Sequence, residues 1–305
     1  MIPQRPGMRA ASDSGGVERE DWAPAPSGVE RRLAGFLHTL DLDAGQEHLH
    51  ADAFERLRRG ALQAIVVHGV FAQSVLQATV QRLERHDPPF LKTSFPRAFH
   101  AWFYGRNVNL ADGALAGYFQ EAEQFNAQLD TLMPAGLGLE GRIAALLSTL
   151  DGGRAFARAP GPRAGECYMF TTLRAHLERG YIPAHYDNEM RLRPSYRHLA
   201  SLVDEHIVSF VLALSRAESG GALEVFDMCC EPHDARLLSD DRVTVKPDTS
   251  RLRSASFRLP PGSLIVLDSG RYLHRVTPVG GARTRWTACS FMARSRSRET
   301  MYCWG

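Results

Sequence analysis

The spacing of apolar residues changes part-way along the chain. From Val29 to Leu40 they recur at Val29, Leu33, Phe36 and Leu40, a period that predicts a helix. A continuous apolar run follows at 64–71 (AIVVHGVF) and reads as a buried strand, and AQSVLQATVQRLERHD at 72–87 has the pattern of an amphipathic helix. Two more helices are predicted at Asp112–Met133 and Leu139–Leu150, with Asp112 as an N-cap and Glu140 in a first turn. The Gly/Ala/Pro/Arg stretch 151–166 then breaks the pattern. Beyond it come short runs: CYMFTTLRAH, YIPAHYD, HIVSFVLALS, ALEVFD, SASFRLP, SLIVLD, HRVTPV and RWTACSFMA. Gly, Pro, Asn and Asp turns separate them, the texture of a β-sandwich or barrel. The expected organisation is a disordered, Pro/Gly/Ser-rich tail at 1–28, a mainly helical region at 29–160, a strand-rich core at 161–295 and a C-terminal tail at 296–305.

Composition narrows the function. With 36 basic and 34 acidic residues among 305, the net charge of +2 gives no reason to expect a nucleic-acid or anionic-membrane partner. No signal-peptide pattern or apolar run of membrane-spanning length is apparent. The five cysteines have no CxxC spacing, so neither a disulfide framework nor a structural zinc site is expected. A cytoplasmic monomer or homodimer is the reading that follows.

The candidate chemistry lies in an HxD pair. Alternate residues on a strand point to the same face, so an imidazole and a carboxylate two apart can take adjacent corners around a metal. A distant His can close the triangle, giving the two-His-one-carboxylate set suited to non-haem iron and oxygen. Among 12 His, about one HxD is expected by chance, and this chain has two. His50-Ala51-Asp52 precedes a helix that Asp52 would cap, a structural role. His185-Tyr186-Asp187 ends a strand-like run and has a companion downstream. In GSLIVLDSGRYLHRVTPVGGARTRWTACSF, His274 opens a strand, and Arg285 and Thr287 share a face of the next. An Arg fork and a hydroxyl together suit a carboxylate. Metal ligands and an anion anchor thus lie at the separation a dicarboxylate requires.

The pattern HYD…GGALEVFD…PPGSLIVLD…LHRVTPV…RTRWT resembles the Fe(II)/2-oxoglutarate dioxygenases, specifically their prolyl-4-hydroxylase-like branch, over roughly 165–295. The resemblance implies a double-stranded β-helix, or jelly roll, with flanking helices, an α+β fold that is mainly β. It implies iron held by His185, Asp187 and His274, with 2-oxoglutarate as cosubstrate, O2 as oxidant and ascorbate as a possible reductant. The family's anchoring Arg falls at Arg285 or Arg283; Arg285 is favoured because Thr287 then takes the place of the family's Ser. Where the branch often carries a Tyr beside the cosubstrate, this chain has His176, with Arg174 on the same strand face. Either can touch 2-oxoglutarate or an acidic substrate, or be an ordinary strand residue. Related halogenases carry Gly or Ala in place of Asp187, so the carboxylate argues against halogenation.

The expected reaction is therefore hydroxylation of an unactivated C–H in a small molecule such as an amino acid or its derivative, with 2-oxoglutarate converted to succinate and CO2. A peptide or protein hydroxylase and a non-catalytic jelly-roll sensor are the alternatives. His206 and His198 read as hydrogen-bonded structural residues, and His233 as part of a loop near the barrel mouth. The aromatic segment 99–107 reads as core or lid, 191–198 as a loop over the site, and Tyr302 with Trp304 as a docking tail.

Overall fold

The computed structural model describes residues 17–94, 99–111, 115–134, 136, 138–188, 190, 193–230 and 248–305. The chain opens on β1 (Arg19–Trp22), β2 (Val29–Leu33), β3 (Leu37–Asp43), α1 (Ala53–Arg58), β4 (Ala64–His68) and α2 (Gln73–Glu84). Next come β5 (Lys92–Ser94), β6 (Ala101–Tyr104), α3 (Leu115–Asp130), α4 (Leu139–Leu150), β7 (Ala155–Arg158), β8 (Thr172–His176), β9 (Ile182–His185) and α5 (Arg197–Leu202). The last stretch holds β10 (Val208–Ala213), β11 (Ser219–Gly220), β12 (Leu223–Cys229), β13 (Ser254–Phe257) and β14 (Leu264–Leu267). It closes on β15 (Tyr272–Val276), β16 (Val279–Gly280), β17 (Arg285–Arg294) and β18 (Thr300–Trp304).

Four neighbours in the larger, 11-stranded sheet, in the order β14-β10-β17-β8, are all antiparallel. So are β13-β12-β15-β9 of the 5-stranded sheet. Apolar side chains of the two sets pack on each other, among them Leu223, Val225, Ala255, Ile265 and Leu267. These strands form the expected jelly roll. Alternation along β17 sorts its side chains: Trp286, Ala288 and Met292 join the core beneath the helices, while Arg285, Thr287 and Cys289 face the barrel interior.

Trp286 anchors the outer core. It is 1% exposed, meets Trp102 edge-on at 4.9 Å and stacks on Tyr104 at 5.5 Å. Trp286→Ala is expected to cost about 3–5 kcal/mol, the range for emptying a large aromatic site. The shift in denaturant midpoint measures it, and a loss under about 1 kcal/mol would remove Trp286 as an anchor.

The strand predicted at 64–71 forms over Ala64–His68, the helix predicted at 72–87 over Gln73–Glu84, and the helix at Leu139–Leu150 over those bounds. The third helix spans Leu115–Asp130; Asp112 lies outside the described residues. The helix predicted over Val29–Leu40 is instead the antiparallel pair β2–β3. Ala34 and Gly35, both at positive φ, turn the chain there. Val29 and Leu33 fall on one face of β2, because a spacing of four is also a multiple of the strand period of two. Residues 29–160 carry strands β2 to β7 as well as helices. The expected N-terminal tail includes β1, which pairs in parallel with β13, and residues 1–16 lie outside the described set. The expected C-terminal tail contains β18, paired to both β17 and β7, with Trp304 fully buried. Edge pairing with β17 overrides the polar flank from Ser295 to Glu299. Among the described residues no helix is long and apolar enough to cross a membrane.

Candidate metal and cosubstrate site

Antiparallel pairing of β9 with β15 sets His185 directly opposite His274. Their rings lie 4.4 Å apart between centroids. Asp187 sits two residues beyond the end of β9, its backbone N–H donating to the Ser269 carbonyl at 3.0 Å. The carboxylate lies between the two imidazoles: Oδ1 is 3.4 Å from His185 Nε2, and Oδ2 is 3.4 Å from His274 Nε2. The ligand atoms of all three residues fall within 4.8 Å of one another.

Hydrogen bonds settle which ring nitrogens face inward. His185 Nδ1 lies 2.8 Å from the Pro183 carbonyl, and His274 Nδ1 lies 3.0 Å from that of Tyr272. A carbonyl only accepts, so each Nδ1 carries the proton and each Nε2 presents a lone pair. Two lone pairs and a carboxylate then converge. A bound cation relieves that arrangement, and two imidazoles with one carboxylate suit Fe(II).

A small cavity beside the triad is lined by Arg285, Thr287 and His176. Arg285 lies opposite His176, and Thr287 opposite Arg174, across the β17–β8 ladder. Arg285 is 8% exposed and has no carboxylate within ion-pair reach among the described residues. Burial pushes its guanidinium down to about 10, so it stays cationic at neutral pH. A buried cation without a counter-ion calls for an anionic ligand. Gly221 makes room for it. At φ +64° a Cβ there would lie 2.8 Å from Arg285 Cδ, which gives the GG of GGALEVFD a physical reason.

His176 is 1% exposed with neither ring nitrogen partnered, and burial, Arg285 and Arg174 hold it neutral. Arg283 does not join the site: it lies exposed on the turn before β17, where its backbone N–H donates to Glu218. A side chain two residues earlier would share the strand face only if β17 began sooner, and the turn prevents that.

A larger cavity of about 290 Å³ adjoins the triad. β6 alternates across it, with Ala101 and Phe103 on the cavity and Trp102 and Tyr104 in the outer core, so the segment 99–107 both packs and lines. Arg193 and Tyr196 line it from the segment after Asp187; residues 191–192 lie outside the described set. Sequence reasoning missed Tyr181, Phe291 and Trp304 on its walls. Tyr181 sits within the quoted YIPAHYD run, whereas nothing near Trp304 signals the site. Elsewhere, His206 bonds Asp268 at 2.8 Å and His198 bonds the Pro160 carbonyl at 3.1 Å. His50 closes a one-turn 3-10 helix and Asp52 stands at the N-cap position of α1 without a side-chain cap bond. His233 lies outside the described residues.

The jelly-roll fold and the family match place the chain among the Fe(II)/2-oxoglutarate-dependent oxygenases. The model of the family "Carrier-protein-independent halogenase WelO5" matches residues 36–305, and the chain belongs to that family, itself part of the same superfamily. Two solved structures of an N-substituted L-amino acid dioxygenase from Burkholderia ambifaria AMMD share the fold, one of them in complex with alpha-KG. Each is 15% identical, covering 84% of this chain and 91% of its own, with TM-scores of 0.54 and 0.55. No curated protein matches the chain.

Proposed function

We propose that this protein hydroxylates an unactivated C–H of a small molecule, with His185, Asp187 and His274 holding iron(II) and with Arg285 and Thr287 anchoring 2-oxoglutarate. The observation that carries the reading is the Asp187 carboxylate, 3.4 Å from each Nε2 and flanked by both rings. The bound metal would supply oxidative decarboxylation of 2-oxoglutarate to succinate and CO2, and the oxidising power to break the substrate C–H bond. The chain's own groups bind and orient. Arg285 offers a fork for the cosubstrate's distal carboxylate and Thr287 a hydroxyl beside it. His176, neutral and unpartnered, offers one donor and one acceptor to the same ligand. Phe103, Tyr181, Phe291 and Trp304 keep the adjoining cavity apolar. That cavity suits a small molecule rather than an extended peptide. An amino acid or its derivative is the substrate class proposed for it. All five cysteines are free, which supports a cytoplasmic setting.

Membership of a halogenase family makes chlorination or bromination the second reading. His185, Asp187 and His274 would hold the metal and leave it room for a chelating cosubstrate and oxygen. A halide needs the position Asp187 takes. Anaerobic protein with Fe(II) and 2-oxoglutarate is expected to show a weak visible charge-transfer band that bromide leaves unchanged. In Asp187→Gly the band should become bromide-dependent. A bromide-dependent band in the wild type sinks the hydroxylase reading, and absence of any band sinks the iron and 2-oxoglutarate assignment.

A further inference from the structure

Arg174 stands where the two cavities meet. It lines both, together with His176, His185, Asp187 and Phe291. Phe103 of β6 lies opposite it on one side and Thr287 of β17 on the other, so its side chain emerges on the cavity face. Its guanidinium lies over the Phe103 ring at 5.0 Å and the Phe291 ring at 5.8 Å. Its Nε donates to Thr172 Oγ1 at 3.3 Å. Two aromatic faces and one hydroxyl are the partners it has; no carboxylate of the described residues pairs with it. Two π faces orient a planar guanidinium without neutralising it.

Charge counting then points to the substrate. This step rests on the reading of the site proposed above. A dication is balanced by Asp187 and by the chelating carboxylate of the cosubstrate. The cosubstrate's second carboxylate is balanced by Arg285. His176 is neutral. Arg193, the other cation on the larger cavity's wall, is already engaged within the protein. One positive charge remains without a carboxylate partner among the described residues, on Arg174, in a cavity that Phe103, Tyr181, Phe291 and Trp304 help to wall. The side chain is half-buried, facing the cavity, and an anion entering with the substrate gives it the charge-assisted partner it lacks.

We infer that Arg174 binds a carboxylate on the substrate, which is an apolar carboxylic acid held with its charged end beside the metal. Phe99, Tyr181 and Trp304 then face its apolar body. Asn107 and Asn109 line the same cavity, each with a buried side-chain carbonyl oxygen that has no partner. They fit an N–H donor on that body, as an N-acylated aromatic amino acid carries. Because the anchored carboxylate lies next to the triad, the carbon attacked is within a few bonds of it.

Calorimetry on anaerobic protein loaded with Fe(II) and 2-oxoglutarate tests this. The probes are N-acetyl-L-phenylalanine, N-acetyl-L-tryptophan and 3-phenylpropionate, each against its carboxamide. At least one acid is expected to bind at least about tenfold tighter than its amide, as a charge-assisted pair in a partly dry site gives. Arg174→Gln should erase that preference and change 2-oxoglutarate affinity less than about twofold; Arg174→Lys should keep part of it. Equal binding of acids and amides, or no acid binding, overturns the inference. So does a loss of 2-oxoglutarate affinity in Arg174→Gln matching that of Arg285→Ala, which would give Arg174 to the cosubstrate. Failure of the wild type to bind 2-oxoglutarate at all sinks the underlying reading instead.

Discussion

His185→Ala and His274→Ala are each expected to lower iron(II) affinity by more than about 100-fold and to abolish succinate formation. The magnitude follows from a comparison. Groups that merely orient metal ligands are worth roughly 10- to 100-fold in affinity or activity. A ligand itself must be worth more. The two residues should behave alike, because each contributes one Nε2 whose ring is set by a backbone carbonyl two residues back. They differ in packing. The His274 side chain is 7% exposed and that of His185 is 33% exposed, so His274→Ala should also cost stability while His185→Ala costs less. Equilibrium iron titration of both variants checks the first claim and thermal unfolding of the metal-free proteins the second. Iron affinity unchanged in either variant removes that residue from the metal site.

Arg285→Ala should weaken 2-oxoglutarate binding by roughly 30-fold to several thousand-fold, since truncating one partner of a buried charge pair costs about 2–5 kcal/mol. Arg283→Ala should change it less than about twofold, because that side chain lies exposed on the turn. Arg285→Lys is expected to fall between them. It keeps the charge but loses the fork, and Gly221 is shaped to the flat guanidinium stem rather than to an ammonium. Titrating 2-oxoglutarate into each anaerobic Fe(II) protein, read by the visible band, compares the three. A large effect confined to Arg283→Ala would reassign the anchor.

Why these residues were legible in the sequence is a matter of period. An HxD on a strand and an Arg-x-Thr on another carry their geometry in their spacing, since alternate strand residues share a face. The continuous run AIVVHGVF and the amphipathic pattern of residues 72–87 likewise dictate burial wherever they land. Other features have no local signature. The spacing Val29-Leu33-Phe36-Leu40 fits a helix and a hairpin equally until the turn at Ala34-Gly35 is known. Trp304 reads as a tail residue because the chain before it is polar. Only addition of β18 to the edge of β17 carries it into the core and onto the cavity wall.

The choice between Arg283 and Arg285 shows where the boundary falls. Local chemistry offered two cations of the same kind two residues apart. Strand β17 begins at Arg285, opposite His176, and that register alone turns one guanidinium inward and leaves the other in solvent. By itself, the order of residues determined the fold class and marked His185, Asp187 and His274 as candidates, because side-chain type and strand period are local quantities. The tertiary structure decided which ring nitrogens face the Asp187 carboxylate, which cation lines the cavity beside it, and that Arg174 meets both cavities. Those depend on pairing between strands far apart in the chain, and on which charges the folded interior leaves without partners.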